Sequence, residues 1–338
     1  MRCRLLIVSI VAFLLVVVAL AYRVVFFPWW RLPDRSAEDI ERRFQQLESW
    51  ARLRRGAADS SSLSQALARL RASSMQRPQE LLRQSSRARA GLPLLPWQQL
   101  DAHGQVALAL LHDWHAKQGG FAASSCSNVC TEAREGAFQC AIELNRLGTL
   151  ALVTASDGQP HAVDAVLHLA HVLRNSGHHA EFLVGTLLAE KAGDWARSRR
   201  VKPWSTFHEL APRAAEVLPA FARDRWCAFA HLRASRPAAT WLDFAVETNT
   251  AKPEHLTAPF GIVRPERERL VALDTAASVV LAAAVHGSDL QRMAGAVERE
   301  TLAAQEVLRT TPLEAFAPTI DRAARVISTF HELHKRGD

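Results

Sequence analysis

The stretch "PHAVDAVLHLAHVLRNSGHH", residues 160–179, concentrates the side chains best suited to chemistry in this chain. At about 100° of rotation per residue, His161, Asp164, His168, His171, Asn175 and His178 fall on one helical stripe. Val163, Val166, Leu167, Ala170 and Leu173 take the opposite side. Neutral imidazoles one turn apart can share a metal ion, and a carboxylate among them can ligate or orient a ring. "HDWH" repeats the spacing with His112 and His115. The candidate metal ligands are therefore His112, His115, His161, Asp164, His168 and His171, drawn from two helices. The competing reading is an ordinary polar face, because bundle metal sites usually recruit several carboxylates and these helices supply few. That reading expects a double replacement of His168 and His171 by Gln to leave folding nearly unchanged.

Cysteine chemistry is the second candidate. Cys126, Cys130, Cys140 and Cys227 form an even set downstream of a signal-like segment, which points to two disulfides and an oxidising compartment. Four cysteines allow three connectivities. The short spacing in "CSNVC" favours Cys126 with Cys130, leaving Cys140 for Cys227. Zinc held by four thiolates fits less well, since a second close pair is missing. There is no phosphate-cradling glycine loop, nucleophile elbow or dinucleotide fingerprint, so no catalytic residue and no cofactor is assigned.

The hexapeptide "STFHEL" occurs at Ser205–Leu210 and again at Ser328–Leu333. In the first copy Thr206 and Glu209 have the capping-box spacing and are expected to open a helix. The second lies near the end of the last helical pattern. Flanking apolar positions do not correspond, and His331 and His334 are three apart rather than the four that a zincin requires. The repeat reads as an accident of composition.

These residues must be positioned by helices. Helical periodicity covers about 97–118, 130–154, 160–175, 178–198, 205–222, 224–234, 267–286, 289–309 and 312–335. "FGIVRP" at Phe260–Pro265 is the best strand candidate and is short. The fold class is all-α: a single N-terminal transmembrane helix followed by a multi-helix domain of packed hairpins. The expected organisation is an anchor over 1–22, an interfacial aromatic linker over 23–35, Arg-rich membrane-proximal helices over 36–92 and a helical domain over 93–338.

Residues 5–22 contain one polar residue before Tyr22, Ser9, and eighteen helical residues nearly match the roughly 30 Å of bilayer hydrocarbon. "YRVVFFPWWR" follows, with the aromatics and arginines that a membrane–water boundary favours. Ala19-Leu20-Ala21 also satisfies a signal-cleavage pattern, but the run is longer than a usual signal core. Charge does not orient the span, since Arg2 and Arg4 face Arg23, Arg31 and Arg35 across it. Residues 1–100 carry sixteen arginines against seven acids, whereas the remainder holds 25 basic and 27 acidic residues. Besides the bilayer itself, anionic lipid headgroups or an acidic envelope protein are the expected partners, and nucleic acid is not. The Ala- and Arg-rich composition suggests a bacterial chain in the cytoplasmic membrane, its large domain on the extracytoplasmic side. The expected function is a protein- or envelope-binding or scaffold module. The alternative is a metal-binding helical enzyme using the His161/His168/His171 stripe with His112 and His115.

Overall fold

A computed structural model describes residues 11–18, 42–43, 45–47, 61–74, 90–120, 134–156, 160–176, 179–224, 277–308 and 316–337. Every regular element among them is helical. The principal helices are α1 (Ser61–Ala72), α2 (Ala102–Ala116), α3 (Arg134–Thr154), α4 (Pro160–Arg174), α5 (His179–Arg199), the short α6 (Ser205–Glu209), α7 (Leu290–Leu308) and α8 (Phe316–Gly337). Further helical residues lie at 11–18, 217–224 and 277–284. The all-α expectation holds among the described residues, and the packed hairpins are α1 with α2, α4 with α5, and α7 with α8.

Asp101 shows how local chemistry sets these boundaries. The pattern beginning near Trp97 predicts one helix, but Trp97–Gln99 is a 3-10 turn and α2 starts only at Ala102. Asp101 caps α2 by accepting the Gly104 N–H at 2.6 Å, which satisfies an otherwise orphaned donor. The same carboxylate accepts from the Ser73 hydroxyl, the Ser74 N–H and the Ser74 hydroxyl at the end of α1. One cap therefore joins both helices of the hairpin. At the other end of α2, Ser62 donates to Asp113 at 2.9 Å.

The pattern over 205–222 also divides. α6 ends at Glu209, a 3-10 turn covers Ala214–Glu216, and helix resumes at 217. Pro212 lies between, and a proline ring obstructs the preceding turn while supplying no N–H. The expected Thr206–Glu209 capping box is absent: α6 starts at Ser205 and its N-cap, Trp204, makes no side-chain cap bond. Asp289 caps α7 by accepting the Arg292 N–H at 3.1 Å. Gly287, at φ +56°, lies in the turn between the helix that ends at 284 and α7.

Two hydrophobic clusters result. The first gathers Leu and Ala side chains of α1 to α5 around Trp114, Phe207 and Phe330. The second joins Phe182 on α5 to 217–222, 277–283, α7 and the first half of α8. Leu47 is buried in this second cluster, and Arg43 donates to Ser278 at 2.8 Å. α5 and α8 contribute to both clusters. Where α5 crosses α4, a Cβ on Gly185 would lie 2.6 Å from the Ala170 carbonyl oxygen, so the close approach requires glycine.

The two hexapeptide copies meet across the first core. Phe207 and Phe330 stack with centroids 4.9 Å apart, while His208 meets His334 edge-on at 4.4 Å. They meet as packing partners from unlike elements, a five-residue helix and the last helix of the chain.

Among the described residues no helix is long and apolar enough to cross a membrane. Of the apolar run 5–22, only 11–18 is described; it is helical, with every residue exposed. The strand candidate Phe260–Pro265 and the pattern 225–234 lie outside the described residues.

Candidate functional site

α4 is buried on nearly every side, between α5, α3, α2 and α6. The histidine stripe is therefore not one solvated face. Asp164 is 5% exposed and His168 7% exposed, whereas His161 is exposed and the His171 side chain is 41% exposed. Periodicity places these residues on one stripe, but a central helix has neighbours on its polar stripe as well.

Those neighbours draw the stripe residues apart. His168 meets α2: its Nδ1 lies 3.1 Å from Nδ1 of His115, and its ring stacks on Trp114 with centroids 4.5 Å apart at 21°. Asp164 instead accepts the Trp204 indole N–H at 2.7 Å. His171 Nδ1 lies 3.3 Å from Glu216 Oε1, and Glu216 Oε2 accepts Arg174 Nε at 2.7 Å. Arg174 is almost fully buried and also donates to the Leu210 carbonyl at 3.2 Å. Asn175 bonds back to the His171 carbonyl at 2.9 Å, while His178 lies outside the described residues.

The electrostatics follow from burial. Burial first, then His115 and His171, lowers the His168 pKa to about 4. Burial also lowers His115, with His161 adding to the effect. His112 is lowered by burial and by His115 and His161. These rings are neutral at ordinary pH, so in the His115–His168 contact one Nδ1 carries the proton and the other accepts it. Burial raises the Asp164 pKa, against the opposing hydrogen bond from Trp204. Burial would also raise Glu216, but the His171 ring and the Arg174 guanidinium outweigh it and hold the carboxyl at about 2.

His115 and His168 are the two candidate ligands brought into direct contact. Among the described residues no group of three or more His, Cys, Asp or Glu side chains is placed to hold a metal ion. The arrangement can share a proton between two imidazoles, and can pair a buried guanidinium with a carboxylate.

Trp114, Trp204, Arg174 and Glu216, which complete these contacts, escape sequence reasoning because they lie on other elements or the far side of α4. Lys191 is a further case: its Nζ donates to Asn145 Oδ1 at 2.9 Å and Thr149 Oγ1 at 2.7 Å. Burial lowers its pKa to about 8. Of the four candidate disulfide cysteines, Cys140 is buried on α3, and Cys126, Cys130 and Cys227 lie outside the described residues. No family model, curated protein or solved structure matches the chain.

Proposed function

We propose that this chain is a membrane-anchored, extracytoplasmic helical module that acts by binding a protein or an envelope component. The observation carrying this reading is residues 11–18, "AFLLVVV" preceded by Val11: apolar at every position, helical and exposed at every position. A helix apolar all round gains nothing from water and is stabilised only by burial on all sides. A bilayer supplies that burial if the helix extends through the full run 5–22. The oxidising compartment belongs to the same proposal and rests on the even set of Cys126, Cys130, Cys140 and Cys227 in the sequence. Asp164, His168 and Arg174 are each engaged by a side chain from a neighbouring element, which suits a binding scaffold.

Membrane fractionation tests the anchor. The full chain should stay in the pellet after alkaline carbonate extraction and float with vesicles; a soluble mature chain beginning at Tyr22 would overturn the reading. The metal-dependent alternative retains the contact between His115 and His168 in its favour. One zinc, manganese or iron per purified chain, lost in His115→Gln/His168→Gln, would put that alternative first.

A further inference from the structure

One end of the helical bundle carries an apolar patch that neither core absorbs. Leu92 is 60% exposed, Trp97 42% and Val106 43%. Backbone contacts fix all three on rigid elements. Arg199, near the end of α5, donates to the Leu92 carbonyl at 3.0 Å and to the Ala155 carbonyl at 2.8 Å. The Leu95 N–H donates to the Val153 carbonyl at the end of α3. The Gln105 amide donates to the Trp97 carbonyl at 3.2 Å, one position before Val106. The patch thus sits where α2 begins and where α3 and α5 end.

Basic groups predominate there: Arg197, Arg199, Arg200 and Lys202 outnumber the ionised Asp101 and the exposed Asp194. Arg200 and Lys202 follow Arg199 and are exposed. From 90 to 110 the only acid is Asp101, already accepting from Ser73, Ser74 and Gly104, and from 195 to 204 there is none. The nearest exposed acid further along is Glu209 on α6.

We propose that this end of the domain docks on anionic lipid headgroups, with Trp97, Leu92 and Val106 in the interfacial zone and Arg200 and Lys202 on the phosphates. Indole rings prefer the membrane–water boundary, and basic side chains near an anionic leaflet are attracted to it. Three apolar side chains and two cations are far fewer than the roughly 20–30 residues a side of a stable protein interface. A small surface suffices for lipid because tethering converts docking into an intramolecular event. This assignment rests on the membrane-anchored reading.

The test is hydrogen exchange on the full chain with phosphatidylcholine vesicles, with and without phosphatidylglycerol, alongside flotation. Exchange over residues 90–106 should slow on the order of tenfold with the anionic lipid and not with the neutral one, while α7 stays unchanged. Leu92→Ser/Trp97→Ser should abolish that slowing without releasing the chain from vesicles. Flotation with equal exchange in both lipids would overturn the docking site and leave the anchor standing, the outcome expected if the patch instead meets a protein. A chain that fails to float with neutral vesicles loses the anchor. The patch then stands or falls on whether phosphatidylglycerol vesicles alone bind the chain, and bind it less in the double variant.

Discussion

His168 shows how much a residue's role depends on what lies across from it. On sequence it shares a polar stripe with His161, and the polar-face reading treats its replacement as harmless. In the fold it stacks on Trp114 and meets His115, while His161 is exposed. His168→Gln should cost about 1–3 kcal/mol, because a buried hydrogen-bonding group on His115 loses its partner. His161→Gln should stay within about 0.5 kcal/mol. Urea denaturation of the two variants separates them, and equal midpoints would show that the buried contact contributes nothing. Glu216 makes a second case. Glu216→Ala leaves the buried Arg174 guanidinium without its carboxylate, an uncompensated charge that costs roughly 3–5 kcal/mol. Thermal unfolding should register a loss well beyond that of a surface acid such as Glu209.

At the scale of elements, caps and stops decide where periodic patterns become helices. α2 closes with Gln118 at φ +51°, and the next N–H, from Gly119, bonds back to the Trp114 carbonyl at 2.8 Å. Left-handed backbone strains any residue with a Cβ, and glycine relieves it. Gln118→Gly should therefore raise stability by up to about 1 kcal/mol, seen as a higher denaturation midpoint. A lowered midpoint would mean that the Gln118 side chain contributes more than its backbone strain costs. Helix positions were legible because α4 and α5 keep an apolar period and have clear ends. The interruptions at Trp97–Gln99 and after Glu209 were less so, since periodicity continues through a turn that breaks the hydrogen-bond ladder.

For the whole molecule, pH and redox state are the accessible variables. His112, His115 and His168 all have folded pKa values lowered by burial. The unfolded chain therefore binds more protons below the ordinary histidine value of about 6.5, and stability falls from there towards about 4, the value for His168. Glu216 acts in a lower window: its contribution is present above about 4.5 and is lost as pH falls towards 2. Asp164 and Asp194 oppose both, because a carboxyl pKa raised by burial favours the fold as pH drops. Those two carboxyls act from an ordinary value of about 4 upwards, whereas the three histidines act from about 6.5 downwards, so stability should show a net loss between pH 7 and pH 5, reduced in His168→Gln. A flat profile by thermal melting would contradict this. The proposed bridges are tested separately. Alkylation of the denatured, unreduced chain should modify none of Cys126, Cys130, Cys140 and Cys227, and full labelling of all four would remove the argument for an oxidising compartment.

Composition and periodicity alone determined that this chain is built from helices, that its α4 stripe is polar and that one N-terminal run is apolar but for Ser9. Those are local properties: a helix repeats every 3.6 residues whatever it later packs against. Tertiary structure decided which stripe residues meet. It turned Asp164 towards Trp204, His168 towards His115 and His171 towards Glu216. It also set Phe207 on Phe330 across 123 residues of sequence, and buried Arg174 against Glu216. These pairings escape the sequence because helix spacing fixes where a side chain points relative to its own axis. What it meets there depends on how close two axes approach, and that is set by distant small residues such as Gly185, which lets α5 lie against the Ala170 carbonyl.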